Sequence, residues 1–321
     1  MRRAVVLMNL GGPDSPASVR PFLYNLFSDR AIIGLPTLLR VPLAWLIAKR
    51  RAVVAREIYA RLGGSSPLLA NTEAQARALE AELGPGYRVF IAMRYWHPLT
   101  AEAVGAVKAW QPDETILLPL YPQFSTTTTG SSLAAWQDEA VRQGLSGATR
   151  VIRSYPQAPG FVAALAVSIA LEFDKASAQG APVRLLFSAH GLPLRIVRAG
   201  DPYPGEIEST AAAVIQTLAR PALDWVVCYQ SRVGPLAWLG PAVDEELRRA
   251  GRDGVAVVVA PISFVSEHSE TLVELDHDYR LLAQSCGVPA YYRAATVGTD
   301  RRFIAALAEL VRGTALSGTG S

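Results

Sequence analysis

Six short apolar runs recur along the chain, each followed by a longer stretch with helical spacing. They are residues 4–8 (AVVLM), 87–93 (YRVFIAM), 114–120 (ETILLPL), 182–187 (PVRLLF), 223–229 (LDWVVCY) and 255–260 (VAVVVA). The runs are continuous rather than alternating, the pattern of strands covered on both faces. Helical spacing falls near 17–27, 68–83, 98–109, 131–143, 158–178, 206–219, 241–250, 267–284 and 299–313. The first of these opens after Ser15-Pro16, read as an N-cap with proline in the first turn. Such alternation predicts an α/β fold with parallel sheets.

The pattern carries an internal echo. The run ending at 120 leads into Tyr121-Pro122-Gln123-Phe124-Ser125, and the run ending at 260 into Pro261-Ile262-Ser263-Phe264-Val265-Ser266. The first run leads to Gly11-Gly12-Pro13, and the fourth to His190-Gly191-Leu192-Pro193. Two doubly wound halves of similar design would produce this. In 321 residues there is room for two domains. We expect residues 1–160 to form one α/β half with an apolar lip. Residues 161–321 would form the other, its last helix packing back on the first half. The tail, GTALSGTGS, reads as flexible by composition.

Composition excludes several classes. The net charge of +3 comes from scattered residues and is no footprint for nucleic acid. Cys228 and Cys286 form no CxxC pair, so a disulfide framework, a zinc ribbon and a four-cysteine iron–sulfur site are excluded. Cysteine usage reads as a reducing, cytosolic compartment. The start, MRRAVVLMNLGGP, is too short for a signal peptide. The most apolar stretch, residues 31–48, is interrupted by Pro36, Arg40 and Pro42, so it reads as a buried or surface-lying segment rather than a span. A peripheral membrane contact stays open there. Gly11-Gly12-Pro13 is not GxGxxG, and there is no phosphate loop or GxSxG elbow.

In open α/β sheets, ligands bind at the carboxyl ends of strands. His190 follows an apolar strand directly, where an imidazole could exchange protons or ligate a metal; it could equally cap the strand end. Ser266, read as an N-cap, opens a helix on which Glu267, Glu270, Glu274 and Asp278 share one stripe at 100° per residue. The other face, Leu272, Leu275, Tyr279 and Leu282, should be core. Like charges at i, i+4 cost roughly 0.2–0.5 kcal/mol per pair. The stripe is either a solvated acidic face or a row of oxygen ligands for a divalent cation. Three further strand ends, Tyr229-Gln230-Ser231-Arg232-Val233-Gly234-Pro235 with Trp238, Arg94-Tyr95-Trp96-His97-Pro98, and Tyr121 to Ser125 with Thr126 to Thr129, place rings and hydrogen-bonding groups together. A flat aromatic ligand with carboxylate arms would suit that lining, and ordinary loop packing would also produce it.

These segments, with Met8-Asn9-Leu10, Asn25-Leu26-Phe27-Ser28-Asp29, Gly63-Gly64-Ser65-Ser66-Pro67-Leu68 and Gly200-Asp201-Pro202-Tyr203-Pro204, resemble the ferrochelatase family over nearly the whole length and in order. The resemblance implies two Rossmann-like halves facing a porphyrin cleft, in a chelatase-like fold. It implies a lyase of haem biosynthesis that inserts Fe²⁺ into protoporphyrin IX and releases two protons. His190 and Glu270 match the family's catalytic positions, and His190, Glu270, Glu274 and Asp278 its metal-handling row. Arg94, Tyr95, Tyr121, Ser125, Trp238 and Arg51 match substrate-lining positions. The substrates would be protoporphyrin IX and Fe²⁺, with no further cofactor required. The cysteines that hold a [2Fe–2S] cluster in some relatives are missing, so none is expected. Leu10 stands where relatives carry methionine or tyrosine, which puts a metal contact from that wall in doubt. A coproporphyrin III ferrochelatase and a cobalt chelatase are the alternatives; a non-catalytic porphyrin binder would not need the acidic row. We expect a cytoplasmic monomer that could sit peripherally at the inner membrane and binds no nucleic acid.

Overall fold

The computed structural model describes residues 1–232, 234 and 236–316, the last three by backbone alone. Residues 317–321 of the tail, and Val233 and Pro235 of the third strand-end motif, lie outside the described residues. The chain divides into two compact units: Met1–Ser154 with the segment from Leu307 onward, and Tyr155–Ala306. The division falls at 154/155 rather than 160/161. The connecting residues pack with the second unit, where Tyr155 meets Phe161 edge-on at 6.1 Å and Thr210 Oγ1 donates to the Pro156 carbonyl (2.9 Å).

Each unit holds a four-stranded parallel sheet. The first contains β1 (Arg3–Asn9), β2 (Tyr87–Met93), β3 (Glu114–Pro119) and β4 (Ala148–Val151), in the order β2-β1-β3-β4. The second contains β5 (Val183–His190), β6 (Asp224–Gln230), β7 (Ala256–Pro261) and β8 (Tyr291–Arg293), in the order β6-β5-β7-β8. The central strands β1, β3, β5 and β7 are buried almost end to end, which is why their sequences run continuously apolar. Helices cover the faces. In the first unit, Val6, Met8 and Leu117 pack on Val104, Val107 and Trp136 of the helices Thr100–Trp110 and Ser131–Gln143. In the second, Leu186, Val257 and Val259 pack on Val243, Leu247 and Ala250 of the helix Val243–Asp253.

The echo is a repeat of topology and register. Met8 pairs with Pro119 as Ser188 pairs with Pro261. Leu120 N–H donates to the Met8 carbonyl, and Ile262 N–H to that of Ser188. Met93 N–H bonds the Pro98 carbonyl as Tyr229 N–H bonds that of Pro241. Leu10 and His190, each two residues beyond the paired position, are therefore equivalent. In both sheets the strand order reverses between the first and third strands of the unit. The ends of β1 and β3, and of β5 and β7, are thus the places where such a fold opens a crevice.

Four elements differ from the sequence reading. The edge strands β4 and β8 were missed; β4 is four residues long and largely exposed, and β8 has three residues. The interrupted stretch 31–48 belongs mostly to a 24-residue helix, Thr37–Ala60, with Pro42 inside it. Its buried stripe is Ala44, Ala48, Ala52 and Tyr59, while Leu38, Leu39, Trp45, Val53 and Val54 are exposed. The small alanines let it lie against the helix Val19–Phe27. That helix begins at Val19, with Ser18 rather than Ser15 at its N-terminal boundary. Among the described residues no helix is long and apolar enough to cross a membrane.

Helix Pro159–Ser177 approaches helix Arg301–Leu316 through Gly160. A Cβ there would lie 2.2 Å from the Arg302 carbonyl oxygen and 2.9 Å from Ala306 Cβ. Gly160→Ala should therefore destabilise the protein by about 1–3 kcal/mol through overpacking, read as a lower midpoint in denaturant unfolding.

Candidate active site

The second unit's site is built at the ends of β5, β6 and β7. His190 closes β5, its backbone held by Ser263 Oγ (to His190 N, 3.2 Å) and by Tyr203 Oη, which donates to its carbonyl (3.1 Å). Its ring Nδ1 lies 2.8 Å from Glu270 Oε2. The carboxylate accepts from Nδ1–H, which leaves Nε2 as the ring's basic nitrogen in the neutral state. The side chains are 44% and 25% exposed, so the pair is reachable from solvent and not a sealed core contact.

The acidic helix differs from expectation in form. Residues Glu270–Asp278 are a π-helix, followed by an α-helix over Tyr279–Ser285, and Ser266 does not cap it. Its i→i+5 hydrogen bonds widen the turn, a geometry that is rare and concentrates at functional sites. Of the expected core face, Leu275 is fully buried, and Tyr279 and Leu282 pack against the same cluster half-buried, as Leu272 also is. Thr271 and Val273 are buried instead.

Glu274 turns to the end of β6. Ser231 N–H donates to Glu274 Oε1 (2.8 Å), Ser231 Oγ to Oε2, and Gln230 Nε2 also to Oε2 (3.1 Å). Gln230, fully buried, is oriented by Ser188 Oγ (2.7 Å) and reaches the Glu270 carbonyl as well. Ser231 has φ +59°, the left-handed region uncommon for a side chain-bearing residue, and a typical mark of a functional site. From sequence both residues belong only to a strand-end lining; their grip on Glu274 depends on a left-handed backbone that leaves no signal in residue type.

Electrostatics separates the groups. Burial works against a charged imidazole at His190, but the Glu270 carboxylate wins and raises it above its ordinary 6.5. Burial would raise Glu270, yet His190 brings it down to about 2. Glu274 moves the other way, raised by burial and by the Glu270 charge. His268, buried against Phe264, is lowered by burial. The arrangement is thus a charged carboxylate against a histidine, beside a carboxyl that holds its proton more readily.

Asp278 is not part of this cluster; it is half exposed and pairs with His277 Nδ1 at 2.8 Å. Among the described residues, no three His, Cys, Asp or Glu side chains gather closely enough to hold a metal ion. The expected row of four is therefore no preformed coordination set: Glu274 is turned to Ser231 and Asp278 to solvent. Trp238 joins Glu274 on a cavity of about 590 Å³, with Arg232, Asp244 and Tyr279 also on its wall. It pairs by backbone with Pro193 and stands close to Gly191.

The other expected residues lie in the first unit. Tyr95 Oη donates to Asp29 Oδ2 (2.7 Å), Arg94 is 2.9 Å from the same oxygen, and Ser131 Oγ also donates to it. Burial followed by the Asp29 charge pushes the Tyr95 hydroxyl up. Asp29 is the anchor: Arg94, Tyr95 and Ser131, all distant from it in the chain, meet on its carboxylate. Tyr121 is held protonated by burial. Ser125 accepts from Thr127 N–H (3.2 Å) and opens a second π-helix, Thr126–Gly130, at the place after β3 that Glu270–Asp278 occupies after β7. Arg51 is exposed on the helix Thr37–Ala60, its guanidinium 5.7 Å over Phe27.

A family model for ferrochelatase matches residues 2–315. The chain belongs to the ferrochelatase family. Ferrochelatase of Phenylobacterium zucineum is 55% identical over 98% of this chain and 91% of its own. That of a Wolbachia strain from Drosophila simulans is 50% identical over 97% and 98%. The family makes the chain a lyase of haem biosynthesis, with a porphyrin and a metal ion as its substrates. The sirohydrochlorin chelatase SirB of Bacillus subtilis subspecies spizizenii, solved with cobalt, shares the fold at a TM-score of 0.59, 11% identity and coverage of 100% and 98%.

Because Glu270 raises the histidine, Glu270→Gln should move the His190 titration to lower pH than in the unaltered protein. Ring-proton NMR across pH 5 to 9 would show the shift.

Proposed function

We propose that the protein inserts Fe²⁺ into protoporphyrin IX, with His190 as proton acceptor. The reading rests on the 2.8 Å contact that fixes His190 Nδ1–H on Glu270 at the end of β5. Free-base porphyrin carries two pyrrole N–H protons, and both must leave for all four ring nitrogens to become ligands to iron. Neutral His190 accepts a proton at Nε2, and the Glu270 carboxylate stabilises the imidazolium so formed. Glu274, whose proton affinity is raised, is placed to relay the proton onward through the Ser231 contacts that join the two glutamates. The second proton follows the same route after His190 is discharged. Carboxylate and imidazole bind ferrous iron moderately, which suits a metal that must be handed on. Tyr95, Tyr121, Ser125, Arg94 and Trp238 are proposed to line the porphyrin site, and Arg51 to approach a propionate. Coproporphyrin III is the second candidate ring, since the site chemistry at the nitrogens is the same. The two cysteines are too few for a four-cysteine [2Fe–2S] cluster, and no such cofactor is proposed.

We further propose a cytoplasmic monomer whose helix Thr37–Ala60 meets the membrane peripherally. Exposed Leu38, Leu39, Trp45, Val53 and Val54, alongside Lys49 and Arg50, support that reading. Sedimentation with anionic vesicles should carry the protein down, and Leu38→Ser/Leu39→Ser should leave it in the supernatant.

Anaerobic protein, Fe²⁺ and protoporphyrin IX should convert the free-base visible bands to those of haem. His190→Ala and Glu270→Ala should each lower the rate by at least about 100-fold, the scale of general acid–base catalysis, with the melting temperature held. Insertion into coproporphyrin alone would reassign the ring, and near-normal rates for His190→Ala would overturn its role.

A further inference from the structure

The π-helix that presents Glu270 and Glu274 is held from behind at two points. Glu267 lies three residues before Glu270, and Asp276 two residues after Glu274. Arg293, on the edge strand β8, takes both: one guanidinium nitrogen is 3.0 Å from Glu267 Oε1, the other 2.8 Å from Asp276 Oδ2. The Arg293 side chain is only 9% exposed. Neighbouring bonds serve the same attachment. Thr296 N–H donates to Glu267 Oε1 (2.9 Å), Tyr291 Oη to the Leu275 carbonyl (2.7 Å), and Arg280 to the carbonyls of Asp276 and Tyr291.

A wide turn differs from an α-turn by one residue per hydrogen-bonded loop. Tightening the segment to α geometry would rotate and advance Glu270 and Glu274 relative to His190 and Ser231. A rigid fork that grips positions 267 and 276 fixes the distance that the residues between them must span, and so the width of their turns. Buried ion groups of this kind add little stability over apolar residues of similar volume, and fixing register is their best-attested use. Lysine, a single point charge on a flexible stem, cannot reproduce the two-pronged grip.

We infer that Arg293 is a positioning residue that, by bridging Glu267 and Asp276, holds the segment 270–278 in its wide turn and keeps Glu270 on His190. The inference rests on the metal-insertion reading for its kinetic consequence alone; its structural consequence is independent.

The test compares the unaltered protein with Arg293→Lys, Arg293→Met, Asp276→Asn and the triple variant Glu267→Gln/Asp276→Asn/Arg293→Met. The triple removes all three charges together, so it folds even where Arg293→Met leaves two half-buried carboxylates unpaired. Iron insertion is measured at saturating porphyrin, protoporphyrin affinity by fluorescence quenching, and the 270–278 backbone by crystallography of the triple variant. We expect kcat to fall about 10- to 100-fold in the triple variant, the range seen when supporting partners are removed. Porphyrin affinity stays unchanged, Arg293→Lys restores activity only in part, and Glu270 leaves hydrogen-bond distance of His190. A folded triple variant with unaltered kcat, or one whose crystal structure keeps the π-helix and the Glu270–His190 contact, overturns the inference. So does porphyrin affinity falling in step with kcat, which would mark a general loss of the pocket. Failure of the unaltered protein to insert iron would count against the proposed reaction, and the crystal structure would still decide the clamp.

Discussion

A parallel strand covered on both faces by helices meets other chemistry only at its ends. That constraint governs this protein. The four central strands, buried almost throughout, leave no room for reactive groups along their length. The polar residues that matter accordingly cluster where the strands stop: His190 after β5, Gln230 and Ser231 after β6, Glu270 and Glu274 beyond β7, and Arg94 and Tyr95 after β2. The strand order, reversing between β5 and β7, then opens a place where the His190 loop and the Glu270 segment can meet.

The repeated register shows how one design serves different tasks. Leu10 and His190 occupy the same position in their units, as do Tyr121 and Ser263, which directly follow Leu120 and Ile262. Each unit also places a π-helix after its third strand. In the first unit that position carries hydroxyls and in the second carboxylates. The first unit gathers its buried polar groups on Asp29, the second on the histidine–glutamate pair. The scaffold is common, and the chemistry lies in a few side chains at strand ends.

Much of this was legible in residue order. Continuous apolar runs gave the six longer strands, because burial on both faces dictates residue type. Helices with one apolar face were found to within a few residues. The edge strands were not, since β4 and β8 are short and β4 faces solvent, so nothing selects apolar residues there. The helix Thr37–Ala60 was hidden because its buried stripe is alanine and its exposed face is leucine, tryptophan and valine, the reverse of the usual pattern. Of the site, His190 stood out by its place at a strand end, and Glu270 was singled out by the family resemblance; that the two meet is seen only in the fold. Its supporting groups were not: Asp29, Ser231 and Arg293 act through contacts that join residues far apart in the chain, or through a backbone angle. The wide turn at Glu270 moved Asp278 out of the row that 100° spacing would have given it.

The division of the chain at Leu307 has a consequence for how the protein is made. The first unit is the earlier to leave the ribosome, yet it contains residues from Leu307 onward, and Arg312 donates to the Glu82 carbonyl at 2.6 Å. Its sheet, built from strands distant in sequence, is the slow-forming kind. Vectorial synthesis therefore delivers an N-terminal unit that lacks its last helix until the whole second unit has emerged. During that interval the surface that helix will cover is bare, and completion of the first unit becomes the final event of folding rather than its beginning.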